Sequence, residues 1–312
     1  MRYFIFSLAL IIILLAPLFG QIPIEIGNLF NPSTIDYKLF WDIRLPRVVV
    51  AFSAGSILAL GGLIFQSLFK NPMSTPYTLG VASGSTLGVA FAIVFGLSSW
   101  VSLFGFFGAL ITVIVLFSLT LRLKSYQTNS LLLVGIALSF FYNATLMILF
   151  YLSDESQSFE IIRFTMGSVD VVGLEKSIPI IITTFTLLAL SFWFKKELKL
   201  LLTSNDYAYL KGVDVKKVST ILLVSVSIAI GVSVALTGPI GFVGLIVPHI
   251  IKNLYQKSAE SLILPIFFYG GFFLVISDLI ARNLGGSSDI PIGIITAFLG
   301  GPFFIYLIMK RK

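Results

Sequence analysis

"GPIGFVGLIVPHI", Gly238–Ile250, is apolar enough to lie in a bilayer, yet four of its first seven residues are glycine or proline. It closes on Pro248 and His249, the only histidine in the chain. Proline lacks a backbone donor and glycine favours no single conformation, so an unbroken helix is not expected here. Irregular backbone at membrane depth is tolerated only where protein, not lipid, satisfies it. The stretch therefore predicts a short, re-entrant or bent helix that faces other helices. A metal site needs several converging ligands, and His249 has no second His and no Cys to join it. With Lys252 and Lys257 following, it reads as a polar residue near the cytoplasmic end of its helix and not as a catalyst.

The rest of the chain sets the same solvent. Apolar residues make up 57% and charged residues 11%, against roughly 25% charged for a soluble domain. Apolar blocks of about 17–25 residues recur, each long enough to cross about 30 Å of hydrocarbon as a helix. They are continuous rather than alternating, which selects helices over a barrel. An all-α, polytopic protein follows, with residues 1–312 forming one transmembrane domain. Ten spans are expected, near 3–20, 47–69, 78–95, 103–122, 130–152, 178–194, 218–236, after the opening motif, 262–281 and 291–309. The first lacks an A-x-A-like cleavage site, so it is read as a membrane helix and not a signal peptide.

Charge orients the spans. The polar segment 153–177 carries Asp154, Glu155, Glu160, Asp170 and Glu175 against Arg163 and Lys176. The segment 195–217 carries Lys195, Lys196, Lys199, Lys211, Lys216 and Lys217 against Glu197, Asp206 and Asp214. Lysine-rich loops stay cytoplasmic. Both termini, 195–217 and the turn with Arg122 and Lys124 then face inward, while 21–46 and 153–177 face outward. The formal charge of +7 is explained by this bias; no basic stripe with interleaved aromatics points to nucleic acid. Without cysteine, disulfide and thiolate chemistry are excluded. "GGLIFQSLFKNPMSTPYTLG" and "GVSVALTGPIGFVGLIVPHI" each join a helix to a shorter one through a proline break. An inverted repeat of helices 2–5 and 7–10 is the expectation, an arrangement common among transporters.

Other motifs admit bland readings beside functional ones. "GVASGSTLG" spaces Gly80, Gly84 and Gly88 by four, a small-residue face for close helix packing. "RLPR" puts Arg44 and Arg47 at the outer end of helix 2, either as headgroup anchors or as a docking point for carboxylates. "SDLIAR" sets Asp278 and Arg282 four apart on one face, either as an internal ion pair or with Arg282 emerging beside the other arginines. Tyr142, Asn143 and Thr145 place polar groups in an apolar span, for a lined cavity or for helix–helix bonding. "LTSNDYAYLKGVDVKK", 202–217, is partly helical by pattern, either a connector or a grip for a soluble partner. No G-x-x-x-x-G-K-[ST] loop is present to cradle ATP, so work must be driven from elsewhere.

"RLPRVVVAFSAGSILALGGLIFQSLFKNPMSTPYTLGVASGSTLG", with "GPIGFVGLIVPHI", "SDLIARN" and "PIGIITAFLGGPFFIYLI", resembles the permease subunits of ABC importers for ferric siderophores, haem and cobalamin (FecCD-type). The match runs from about residue 44 to the C-terminus. The resemblance implies a ten-helix subunit of the cytoplasmic membrane that pairs with a second permease chain, the same or homologous. It also implies a cytoplasmic ATPase dimer below and an extracytoplasmic substrate-binding protein above. It assigns Arg44, Arg47 and Arg282 to docking of the binding protein. Asn71, Met73, Thr128 and Asn129 are assigned to the cytoplasmic gate. Asn205, Asp206, Tyr207, Ala208, Tyr209, Leu210, Lys211, Gly212 and Val213, within 195–217, are assigned to coupling with the ATPase. "RFTMGS" and "SDIP" depart from the family pattern, the latter with Asp289 where Glu is usual. No cofactor or metal is implied. The expected function is a non-enzymatic permease for an iron complex, a ferric siderophore ahead of haem or cobalamin. The alternative is a stand-alone secondary transporter or channel, for which Asp278 is the one strong coupling residue. An intramembrane enzyme lacks paired catalytic groups.

Overall fold

The computed structural model describes residues 2–122, 128–255, 259–284 and 289–310. Within these residues ten apolar helices form the body: α1 (Arg2–Leu15), α3 (Leu45–Phe69), α4 (Val81–Val94), α5 (Val101–Arg122), α6 (Thr128–Leu152), α8 (Ile178–Trp193), α11 (Val215–Thr237), α12 (Val243–Tyr255), α13 (Ala259–Leu284) and α14 (Ile292–Lys310). Six spans are long and apolar enough to cross a membrane, and four shorter apolar helices complete the set. Four short helices lie between them: α2 (Ile35–Lys38), α7 (Glu155–Thr165), α9 (Lys195–Thr203) and α10 (Asn205–Leu210). The element order of α3–α6, a long helix, a break, a short helix and two longer ones, recurs in α11–α14.

Helix α3 is the axis. Most of its residues are buried, and α8, α11, α12 and α13 pack around it. Burial on all sides is possible because its residues are small where neighbours cross. A Cβ at Gly55 would overlap the Gly270 carbonyl of α13, and one at Gly62 would overlap the Gly244 carbonyl of α12. Without a hydrophobic drive between helices in lipid, such close backbone approach supplies the packing energy. Polar bonds pin the same contacts: Ser56 Oγ donates to Phe267 O at 2.9 Å and Gln66 Nε2 to Gly244 O at 3.2 Å. Lys252 Nζ in turn donates to Gln66 Oε1 at 2.8 Å.

Several boundaries differ from the sequence expectation. The second membrane helix begins at Leu45 rather than 47, and a wide π-type turn, Leu39–Arg44, feeds α2 directly into it. Pro46 falls in the first turn of α3, where a missing donor is tolerated. The polar segment 153–177 contains α7, opened by a capping box in which Asp154 and Gln157 bond each other's backbone. The glycine triplet divides: Gly84 and Gly88 face the backbone of α5 at Gly108 and Phe104, as close packing requires. Gly80 lies outside the helix, at φ +76, where it turns the chain into α4 and touches Gly135 and Ser139 of α6. Its role is the left-handed conformation, which a side chain resists.

The opening motif is broken only at 238–242; from Val243 the helix runs through Pro248 to Tyr255. His249 is thus half-buried in the middle of α12, not at its end. The break is satisfied by protein. The Ile240 N–H donates to Tyr77 Oη at 2.6 Å, and Ser168 N–H donates to Thr237 O at 2.8 Å. Tyr77 belongs to the other break, in the Pro76–Leu79 turn.

Gly62→Val should destabilise the detergent-solubilised protein by at least the about 1–3 kcal/mol that overpacking costs, and so lower its thermal unfolding midpoint. Gly27→Ala, where a Cβ meets nothing within 4 Å, should leave it unchanged. Light-scattering-corrected melting of the two variants checks this.

Candidate functional site

Two regions gather the residues singled out by sequence. At the end expected to face outward, α3, α13, the loop after α7 and the loop before α14 converge on Arg47. Its Nε bonds Asp278 Oδ1 at 2.8 Å, while Nη1 meets Asp170 Oδ1 at 2.6 Å and Asp289 Oδ2 at 2.5 Å. Asp278 is fully buried, and its second oxygen lies 3.5 Å from Arg282 Nε. Arg282 Nη2 donates to Ala16 O at 3.0 Å, at the end of α1. Arg44 donates through Nη1 to Leu18 O at 3.1 Å and through Nη2 to Ile22 O. Gly20 leaves the room in which the Arg44 guanidinium sits.

This arrangement changes the expectation for the arginines. Arg44 is 5% exposed and Arg282 4%, so neither stands free at the outer surface. The physical reason is the company they keep. The turn after α1 leaves carbonyls that need donors, and the buried Asp278 carboxylate needs cations, since an unpaired buried charge is severely penalised. The internal ion pair is what the structure contains for Asp278 and Arg282. Held between two guanidiniums, Asp278 is poorly placed to bind and release a coupling ion. Arg47 differs: two of its three partners, Asp170 and Asp289, are 38% and 33% exposed.

The loop after α7 is the clasp of this end. Besides Asp170, it contributes Ser168 N–H to Thr237 O at 2.8 Å and Gly173 N–H to Asp42 O at 2.7 Å, and it accepts Gly293 N–H at Met166 O at 3.1 Å. Asp170 and Asp289 were visible in sequence only as part of a charge tally and as a departure from a motif. Nothing local marks either as a partner of Arg47.

At the end expected to face the cytoplasm, Asn71 builds a turn. Its Oδ1 accepts the Met73 N–H at 2.9 Å, directly after Lys70 closes α3 in a left-handed conformation at φ 49. Met73 is 39% exposed. Thr128 and Asn129 open α6, and their side chains lie outside the described residues. Two of the polar residues within α6 serve helix bonding: Thr112 Oγ1 of α5 donates to Tyr142 Oη at 3.0 Å, and Thr145 bonds its own helix, while Asn143 is exposed.

The 205–213 stretch folds as α10 and a tight return. Ser204 Oγ caps the helix by accepting the Asp206 N–H at 3.2 Å. Ala208 is fully buried and its carbonyl accepts Val213 N–H at 3.0 Å, with Gly212 turning at φ +82. Asp214 then caps α11 through Lys217 N–H at 3.0 Å. Anchored this way, α10 projects Tyr209, 73% exposed, and Leu210, 81% exposed, beside an open recess of about 1000 Å³. Among the described residues no group of three or more His, Cys, Asp or Glu could hold a metal ion.

Residues 8–310 match the FecCD transport family. The hemin transport system permease protein HmuU of Yersinia pestis is 32% identical over 99% of this chain and 95% of its own length. The vitamin B12 import system permease protein BtuC of Vibrio vulnificus is 33% identical over 89% of this chain and 85% of its own. A solved structure described as an inward-facing conformation of a metal-chelate type ABC transporter aligns with TM-score 0.87 and 28% identity, covering 99% of this chain and 98% of that one. With ten helices in the same arrangement and a match along almost its whole length, the chain belongs to the FecCD transport family, as a multi-pass ABC permease of the cytoplasmic membrane that is not itself catalytic.

Proposed function

We propose that this permease forms the translocation pathway of an ATP-driven importer for an iron complex, a ferric siderophore ahead of haem or cobalamin. The family match over residues 8–310 carries the reading. Relatives named for hemin and vitamin B12, and a solved relative described as metal-chelate type, share a bulky, chelated cargo. Such a cargo suits a wide path with few charges, in which movement between two access states does the work.

In this reading the pathway runs between two permease chains, the same or homologous, and residues 195–217 form the cytoplasmic coupling segment. Tyr209 and Leu210 of α10 seat in a cleft of the ATPase, and closure of the ATPase dimer moves the Asn71–Met73 turn and the start of α6 at Thr128 and Asn129. A binding protein delivers cargo at the outer end. Arg47 is the docking cation there, because a carboxylate of the partner can exchange with Asp170 or Asp289 at its Nη1. Arg44 and Arg282 act beneath it by holding α1 and Asp278 in place. The stand-alone carrier is disfavoured by the pairing of Asp278 with two arginines.

Vesicles containing the permease with its ATPase and binding protein should accumulate radiolabelled ferric siderophore only when ATP is supplied. Uphill uptake by the permease alone would sink the reading. Leu210→Asp should abolish co-purification of the ATPase while leaving the melting midpoint of the free permease unchanged, because that side chain is 81% exposed. Asp170→Asn combined with Asp289→Asn should tighten docking of the binding protein by about three- to tenfold, as removing two exposed ion pairs together worth about 1 kcal/mol allows. Surface plasmon resonance on nanodisc-held permease reads the difference, and unchanged affinity removes Arg47 from the docking surface.

A further inference from the structure

The elbow between α8 and α9 combines an apolar stripe with a basic face, to neither of which the transport reading assigns a contact. Ile178, Ile182, Phe185, Ala189 and Trp193 recur at three- and four-residue spacing on α8, and all are exposed. This is one continuous apolar stripe, and it ends in Trp193, 81% exposed. An exposed tryptophan at the end of an apolar stripe marks the depth at which hydrocarbon gives way to headgroups. The chain bends at Phe194 and enters α9, where Lys195, Lys196 and Lys199 are exposed. At helical spacing these three lie within roughly 100° of arc, on one face. Leu198 and Leu201, each 1% exposed, bury the opposite side, where α9 packs on α3 and α13. The one acidic residue of α9, Glu197, has its Oε2 buried.

We infer that the α8–α9 elbow is a binding site for an anionic phospholipid of the cytoplasmic leaflet. Its acyl chains lie along the α8 stripe, Trp193 sits at the glycerol level, and Lys195, Lys196 and Lys199 meet the phosphate and any further headgroup charge. The aliphatic stems of lysine can follow the apolar surface while the ammonium groups reach the headgroups. A basic cluster immediately cytoplasmic of a membrane helix is what attracts anionic lipid. A free phosphate explains the lysines alone; a lipid explains the lysines and the stripe together, which is why the lipid is chosen. The inference rests on the cytoplasmic placement of residues 195–217, and not on what the permease carries. Because α9 packs against α10, the occupied site lies next to the proposed ATPase contact.

The chain has three tryptophans, so Trp41→Phe with Trp100→Phe leaves Trp193 as the sole reporter. This variant is reconstituted in phosphatidylcholine vesicles containing equal mole fractions of either brominated phosphatidylglycerol or brominated phosphatidylcholine. Quenching of Trp193 should be greater with the brominated phosphatidylglycerol, by about twofold, and the preference should shrink as salt screens the lysines. Adding Lys195→Gln, Lys196→Gln and Lys199→Gln should equalise the two lipids, and millimolar inorganic phosphate should not. Equal quenching in the unsubstituted-lysine protein, or a preference that survives both the triple substitution and salt, overturns the inference. Loss of the preference to inorganic phosphate alone assigns the lysines to a free anion and also overturns it. If the triple variant does not fold, the salt series decides. None of these readouts involves transport, so a failed cargo assignment leaves the result interpretable.

Discussion

A backbone that leaves helical geometry inside a membrane must find its hydrogen bonds in the protein itself. The bond from Ile240 N–H to Tyr77 Oη meets that demand at the point where it is most acute. It joins the two breaks of the chain, one after α3 and one after α11, so each interruption completes the other. The short helices α4 and α12 depend on it, since both begin where these breaks end. A phenol suits the position because its long, rigid side chain carries one polar atom across an otherwise apolar contact.

The outer end follows the same logic with charges. Asp278 has no access to water, and its oxygens face Arg47 and Arg282. Arg47 then recruits Asp170 and Asp289, so a single buried carboxylate on α13 organises two surface loops. Arg282 and Arg44 extend the network to carbonyls at the end of α1. The result ties five separate segments into one face, with the partly exposed Asp170 and Asp289 outermost and the buried Asp278 innermost. That gradient of exposure sets Arg47, two of whose carboxylate partners reach solvent, apart from Arg44 and Arg282.

The membrane helices were legible because apolar run length is a local property, and each of the ten expected spans has its helix in the structure. Short amphipathic helices were harder. α7 and α9 lie in segments whose charges were counted as loop charges, although Asp154 and Gln157 spelled a capping box. Gly80 shared the spacing of Gly84 and Gly88 but not their helix, because spacing alone does not reveal where a helix begins. The arginine network was hidden for a different reason. Asp278 and Asp289 stand 231 and 242 positions from Arg47, and no local pattern encodes such pairings. The gate residues were assigned by resemblance alone, while the clasp formed by the loop after α7 carried no motif at all.

The nesting of α3 against α12 and α13 has a mechanical consequence. Where glycine meets carbonyl there are no side chains to change rotamer, so these three helices cannot slide past one another in small steps. They form a keel that travels as one piece. Any rearrangement between the two sides of the membrane must then be taken up along the line of irregular backbone through residues 70–80 and 238–242, and the tyrosine phenol bridging that line is the pin on which the two parts would turn.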